Sequence, residues 1–271
     1  MATNSYNLAH AAEETRRLLL QAGLSERSTL HLLEDAGITS GMRVLDIGTG
    51  AGDVALLAAR LVGPTGSVVG IDRNADLLAL ARQRALEAGL TRVEFAQADL
   101  HALPYGRAFD ALVGRLVLCH LPDPSGALRR LRRHVRQGGL VVMEELNLEP
   151  SPDVREEASR ASREYAQLLA ALTKAEICPT TGMRLFRIFR DAGLEAPFLS
   201  GSMALGCRPD WPGFAATADT YRTLLPLFER FGLTDATKLD VDTMAARLYE
   251  DVERDGVPFV YSAFIGAWVT V

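Results

Sequence analysis

Residues 44–53 read Val-Leu-Asp-Ile-Gly-Thr-Gly-Ala-Gly-Asp: a short apolar run, glycine at every second position, then the start of an Ala/Leu-rich segment. Glycine is needed where the backbone must take angles closed to other residues or pass close to a ligand. A helix beginning there points unpaired N–H groups at whatever is bound and favours a negative group such as a carboxylate. Acids punctuate the neighbourhood. Asp46 precedes Gly48 by two residues, Asp72 ends the next apolar run, Ser67–Ile71, and Asp99 follows a third, Arg92–Ala96. A carboxylate can accept both hydroxyl hydrogens of a ribose, which suits Asp72, or an exocyclic amine, which suits Asp99. The spacing G-x-G-x-G departs from the dinucleotide fingerprint G-x-G-x-x-G, and Asp53 stands where the third glycine of that fingerprint would be. An acid there repels a pyrophosphate. The expected ligand is a nucleoside with a cationic, non-phosphorylated tail.

The elements that must hold these residues can be read from the pattern. Apolar periodicity predicts helices over 8–22 and over 28–37, the second capped by Ser28 and ended by Gly37. Strands follow at 44–47, 67–71, 92–96, 109–113 (with a possible extension to 118) and 140–143, separated by helices at 53–62, 75–88 and 125–136. Strand–helix alternation with short turns is the signature of βαβ units around a parallel sheet, with helices on both faces. Beyond Pro150 and Pro152 the texture changes: helices are expected over 153–173, 182–192, 211–231 and 240–254, and strands over 194–206 and 257–271. The expected fold class is α/β, a doubly wound, mostly parallel seven-stranded sheet of Rossmann-like type. The chain would divide into an N-terminal helical segment, 1–40, an α/β core, 41–150, and the remaining strands with further helices, 151–271.

Four segments in order, each after an expected strand, resemble the class I S-adenosylmethionine-dependent methyltransferase family: Val44–Asp53, Ile71-Asp72, Ala98-Asp99-Leu100 and Phe109-Asp110. The layout is similar to bacterial small-molecule methyltransferases, which implies that residues 1–40 form an N-terminal helical lid and that the helices within 151–271 form a cap on the substrate side. The resemblance implies S-adenosylmethionine as cofactor and S-adenosylhomocysteine as product. It implies that Gly48, Thr49 and Gly50 line the methionine part with Asp46 nearby, and that Asp72 takes the ribose hydroxyls. Arg73 would flank the adenine, Asp99 would bond its amino group, and Leu100 would lie against its ring. Arg115 would contact the cofactor backbone, and Tyr6 and Gln21 would close over it. A methyl acceptor of small, apolar or aromatic character, in specialised metabolism and methylated on O or N, is the leading reading. The alternatives are C-methylation as in ubiquinone/menaquinone enzymes, or a non-catalytic protein that binds S-adenosylmethionine.

Displacement at a sulfonium methyl needs positioning and desolvation, and a base only if the acceptor must lose a proton. Three residues at expected strand ends could face an acceptor: His120, Glu144 and Glu145. His120 could instead make a structural hydrogen bond at the turn into Pro122. Strand alternation sends the two glutamates to opposite faces, so one of them at most would serve, and either could hold a loop or an arginine.

Composition narrows the classes. The chain has 271 residues, 48% hydrophobic and 23% charged, which excludes a disordered or collagen-like chain. A net charge of −5 and the absence of an Asn-Pro-Pro-Tyr type motif argue against nucleic acid as partner. Of 29 basic residues only Lys174 and Lys238 are lysines, a skew that fits a GC-rich coding sequence more than a function. Cys119, Cys178 and Cys207 make no C-x-x-C, and no acid or histidine cluster suggests a metal. Neither a signal sequence nor a membrane span is expected, so the cytoplasm is the expected location and a homodimer the candidate assembly. Residues 150–271 hold 14 of the 18 aromatic residues; that excess fits either core packing or an aromatic-lined acceptor pocket.

Overall fold

Apolar strands alternating with Ala/Leu-rich helices build a sheet covered on both sides. The computed structural model describes residues 2–106, 108–148, 160–233 and 239–271, with side chains over 16–106, 108–148, 163–233 and 239–271. The elements run α1 (Ala2–Asp35), β1 (Arg43–Ile47), α2 (Asp53–Val62), β2 (Ser67–Asp72), α3 (Ala75–Glu87), β3 (Val93–Gln97) and β4 (Phe109–Arg115). There follow α4 (Pro124–Leu131), β5 (Val135–Asn147), α5 (Arg160–Lys174), α6 (Thr181–Asp191), β6 (Phe198–Gly206), α7 (Pro212–Arg230), α8 (Val241–Asp255) and β7 (Phe259–Thr270). The seven strands are ordered β3-β2-β1-β4-β5-β7-β6. Pairs β1–β2, β1–β4, β2–β3 and β4–β5 are parallel. The order reverses between β1 and β4, and open α/β sheets bind ligands at such a switch, beyond the carboxyl ends of the strands.

Two compact units divide the chain. One comprises residues 26–147, 180–202 and 264–271, the other 1–25, 148–179 and 203–263. In the first, the sheet's two faces carry separate apolar layers, as a doubly covered parallel sheet requires. Leu45, Ile47, Ile71, Leu112 and Met143 pack with Leu128 and Leu131 of α4 and Leu185, Ile188 and Phe189 of α6. Val44, Val68, Ala111 and Val142 face the other way, against α1, α2 and α3. Helix α6 starts hard against β5: a Cβ on Gly182 would stand 2.9 Å from the carbonyl oxygen of Glu145. At the far end of β1, Asp110 accepts the Arg43 N–H at 2.7 Å and Arg136 Nε at 2.6 Å, and these donors hold its carboxyl below the usual range.

The second unit is helical, built on Leu168, Phe214, Tyr221, Phe228, Leu248 and Phe259. Tyr221 and Phe228 stack with centroids 5.9 Å apart, and Phe214 meets Phe259 at 5.6 Å. Much of the aromatic excess is therefore core, the plainer of the two readings of that composition.

Three expected boundaries are corrected. The two helices expected at 8–22 and 28–37 are one, and Ser28 lies inside it rather than capping it. The continuity comes from a buried stripe of small and polar residues, Gln21, Ala22, Ser25 and Thr29, running on into Leu32, Leu33 and Ala36. Strand β4 stops at Arg115 because Leu116 turns into the left-handed region, at φ 57°. Strand β5 begins at Val135, inside what periodicity assigned to a helix ending at 136. Residues 153–159 of the helix expected over 153–173 lie outside the described residues.

Phe189, fully buried in α6, and Phe186, half exposed on the same helix, give a stability contrast. Phe189→Ala should cost about 3–5 kcal/mol in urea unfolding, and Phe186→Ala less than about 1 kcal/mol. Equal costs would contradict the burial of one face of α6.

Candidate functional site

The glycine loop joins the end of β1 to α2 and takes positive φ at all three glycines: 60° at Gly48, 51° at Gly50 and 86° at Gly52. Each is a conformation an L side chain rarely adopts. The three differ in surroundings. A Cβ on Gly48 would meet Val117 Cγ2 at 2.5 Å and one on Gly52 would press on Ala81 at 3.0 Å, whereas one on Gly50 would meet nothing within 4 Å. Gly48 and Gly52 are glycines for packing, and Gly50 leaves its backbone accessible. Asp72 closes this loop from the end of β2: its Oδ2 accepts the Gly50 N–H at 2.9 Å and its Oδ1 the Asn74 N–H at 2.9 Å. Each carboxylate oxygen retains a lone pair for a further donor. Thr49 is buried; its N–H bonds Ile71 O at 2.9 Å and its hydroxyl donates to Asp46 Oδ2 at 2.6 Å. Gly70 belongs to the same construction, since a Cβ there would collide with Thr49 Oγ1 and Phe95, both at 2.7 Å.

A charged cluster lies beside the loop on the α1–α2 side. Asp46 is 1% exposed and its Oδ1 has no hydrogen-bond partner among the described residues. Burial pushes its carboxyl up to about 7, against the opposing pull of the Thr49 hydroxyl and the Arg115 charge. Asp53, in the first turn of α2, pairs with Arg84 at 2.6 Å and with Arg115 at 3.4 Å. Its charge is shared with two arginines, so the repulsion expected of a bare acid at the third-glycine position is weakened; the exclusion of a pyrophosphate rests on spacing instead. Arg115 also donates to Thr29 Oγ1 at 3.1 Å, and Thr29 donates to Glu144 Oε2 at 2.5 Å. Glu144 is buried, which raises its pKa, while Arg115, Thr29 and Ser28 pull it down.

Glu145 faces the opposite side of the sheet, as alternation requires. Its Oε1 accepts the Val117 and Leu118 N–H groups at 2.9 and 2.7 Å, and its Oε2 the Cys119 N–H at 3.3 Å. These are the amides opening the short 3₁₀ turn Leu118–His120, so one carboxylate caps that turn and holds Leu116 at positive φ. Desolvation pushes Glu145 up to about 7 although three amides and the Cys119 thiol favour its ionised form. His120 is exposed at the end of the same turn. Of the three residues expected to face an acceptor, the two glutamates are engaged by the protein itself and the histidine is at the surface.

The remaining expected positions are spread along the strand ends. Arg73 is exposed next to Asp72, and its carbonyl accepts Gln97 Nε2 at 2.9 Å. Asp99 is exposed and accepts the His101 N–H at 2.8 Å, with Leu100 partly buried beside it on the α4–α6 apolar layer. Gln21 belongs to the helical unit, where it is buried and accepts from Arg17 at 2.9 Å. Tyr6 falls in α1 with its side chain outside the described residues. Ser28, Thr29 and Arg84 were missed from sequence. Helical spacing of polar residues on a face continuing into Leu32 and Leu33 was the available signal for the first two; Arg84 carried none.

Comparison with known proteins places the family and the fold. A family model described as a methyltransferase domain matches residues 38–193. A ubiquinone/menaquinone biosynthesis C-methyltransferase from Hahella chejuensis is 34% identical over 138 residues, covering 50% of this chain and 55% of that one. The chain thus spans about half the length of the curated relatives it matches. Among solved structures, one from Bacillus halodurans described as a methyltransferase superposes with TM-score 0.59 at 20% identity, covering 89% of this chain and 96% of that one. A phosphoethanolamine N-methyltransferase from Haemonchus contortus, complexed with phosphomonomethylethanolamine and S-adenosylhomocysteine, gives 0.55 at 19% identity, covering 90% and 52%. At such identities the likeness is one of fold.

The burial of Glu145 has a pH consequence. A carboxyl raised from 4.5 to about 7 by folding holds its proton more tightly when folded. The stability it lends is complete below the lower value and is lost as pH climbs through the higher one. Between pH 5 and pH 8 its share of the loss is at most about 3 kcal/mol. Urea unfolding of Glu145→Gln should show a shallower decline over that range than the parent chain; an unchanged slope would mean the carboxylate is ionised throughout.

Proposed function

The chain belongs to the methyltransferase-domain family, and on that premise we propose that it moves a methyl group from S-adenosylmethionine to an O or N atom of a small, apolar or aromatic metabolite. The observation that carries this is the Asp72 carboxylate clasping the Gly50 amide across the glycine loop at the carboxyl ends of β1 and β2. When bound, S-adenosylmethionine supplies an electrophilic methyl on a positively charged sulfur. The residues present fit such a group. Asp46 offers a buried carboxylate oxygen with no hydrogen-bond partner among the described residues, Gly50 has open space where a Cβ would stand, and Asp72 keeps acceptor capacity for a sugar diol. Asp46, Asp53, Asp72 and Glu144 outnumber Arg84 and Arg115, which suits a cationic ligand. Arg73, Asp99 and Leu100 are the proposed adenine contacts, with Thr49 and Arg115 fixing the acids beneath the methionine end.

In this reading His120, exposed at the end of the 118–120 turn, takes the proton where an acceptor must lose one; Glu144 bonds Thr29, and Glu145 bonds the 117–119 amides. Tyr6 and Gln21 are proposed to close over the cofactor, the lid and cap being 1–40 and the helices after 150. The setting is cytoplasmic, the acceptor a small molecule rather than nucleic acid, and the assembly a homodimer. C-methylation is the second reading, favoured by the match to the Hahella chejuensis relative. Incubation with phenol, amine and quinone-precursor panels, with the site of the new methyl read by NMR, separates the two. Cofactor binding without turnover on any panel would leave a non-catalytic binder.

Asp72→Ala should weaken S-adenosylhomocysteine binding about 10- to 100-fold in calorimetry, the loss expected of hydrogen bonds to a charged acceptor; unchanged affinity would refute the placement. Asp46, at about 7, predicts that the cationic S-adenosylmethionine binds more tightly as pH rises from 6 to 8. Asp46→Asn should bind it more weakly and lose that dependence.

A further inference from the structure

Seven arginines and two acids occur in residues 124–134 and 181–195 of a chain whose net charge is −5. These segments are α4 with the turn after it and α6 with its exit, two helices packed side by side over one face of the sheet. Their inner sides are apolar and buried. Their outer sides carry Arg129, Arg130, Arg133, Arg184, Arg187 and Arg190, all exposed. Several make bonds that leave the positive charge standing: Arg129 donates to the carbonyl of Asp191, and Arg132 to the carbonyl of Gly193 at 2.7 Å. The acids compensate weakly, Arg187 meeting Asp191 at 3.4 Å and Arg190 meeting Glu195 at 3.6 Å, both at the surface.

Between the arginines of α6 stand two large apolar side chains, Met183 and Phe186, 63% and 51% exposed and one turn apart. Leu199 of β6, 51% exposed, is on the same sheet face: it alternates with Gly201, which looks onto Ile265, and Gly182 of α6 packs on Ile265 too. An arginine-flanked apolar row on an amphipathic helix suits an interface where charge ends and hydrocarbon begins.

We propose that the outer face of α4 and α6 docks on an anionic phospholipid bilayer, arginines on the headgroups and Met183, Phe186 and Leu199 at the acyl boundary. Among the described residues no helix is long and apolar enough to cross a membrane, so the contact is interfacial. A second copy is the wrong occupant, since a two-fold pairing would set arginine against arginine. Nucleic acid would satisfy the arginines and leave the apolar row without a partner. The acidic remainder of the chain is repelled by an anionic leaflet, which orients this face toward it. Docking is independent of whether the chain transfers methyl groups.

The test is flotation of the full chain with vesicles of equal phosphatidylglycerol and phosphatidylcholine, against phosphatidylcholine alone. Binding is expected only to the mixed vesicles at 50 mM salt, and should fall at least tenfold at 500 mM. The double variant Met183→Ser/Phe186→Ser, and separately Arg133→Gln/Arg187→Gln, should each reduce partitioning about tenfold. Both variants should bind S-adenosylhomocysteine as the parent does, showing an intact sheet; loss of that binding would be followed by the single variants Phe186→Ser and Arg187→Gln, read the same way. Equal binding to both vesicle types, no binding at 50 mM salt, or variants that float like the parent would overturn the proposal. So would duplex DNA binding lost only with the arginines, or self-association abolished by the serine variant without any vesicle binding.

Discussion

A fully buried carboxylate fixes the path of the chain beyond the carboxyl end of β4. Glu145 collects three successive backbone amides after β4, and nothing else in that turn can satisfy them. The turn those bonds define forces Leu116 into a left-handed conformation, a strain of order 1 kcal/mol or more that persists only when the surroundings over-determine it. The same turn lays Val117 on Gly48 so closely that no Cβ could fit there. The first glycine of the loop is thus dictated by a residue almost 70 positions later, through a glutamate further on still. Removing the carboxylate would leave three buried donors unpaired and free Val117 to shift, and the loop would lose the wall that sets its path.

Adjacent residues on β5 do opposite work because a strand alternates. Glu145 builds the turn on the α4–α6 side; Glu144, paired in register with Arg115, enters the polar cluster on the α1–α2 side. There Thr29 relays between guanidinium and carboxylate, accepting from one and donating to the other. Arg115 is the hub: near Asp53, Asp46 and Glu144 its single charge is divided among three acids. Burial raises the Asp46 pKa, the shared Arg115 charge offsets that only in part, and among the described residues its Oδ1 has no hydrogen-bond partner. A folded protein tolerates such a group where a ligand supplies the missing positive charge.

The parallel strands, the glycine loop and Asp72 were legible because each is local: a run of apolar residues, a spacing of glycines, an acid at a strand end. What stayed hidden is pairwise and distant. Ser28 looked like a helix start because polar residues interrupt the apolar rhythm; it and the buried Thr29 hydrogen-bond Glu144, and the helix runs through. Asp53 looked like a bare acid because nothing in the sequence marks Arg84 as its partner. Val135 and Arg136 looked helical in continuity with 125–134, while pairing of Val135 with Phe109 of β4 draws them into β5. The aromatic excess after residue 150 was ambiguous on composition alone, and the mutual packing of Phe214, Tyr221, Phe228 and Phe259 accounts for a large part of it.

The matched family range and the helical unit overlap only in part. The family match covers residues 38–193; of the segments that form the helical unit it includes 148–179 and leaves out 1–25 and 203–263. A cofactor shared by many enzymes imposes fixed demands on backbone angle, acceptor placement and charge, and those demands leave a spacing that can be read. An acceptor imposes demands particular to one enzyme, met by side chains whose first obligation in this chain is to pack against one another. Residues that serve a core and residues that line a pocket are drawn from the same apolar alphabet, so sequence pattern cannot separate them, whereas a regular spacing of glycines, and acids at strand ends, stand out from that alphabet whatever they hold.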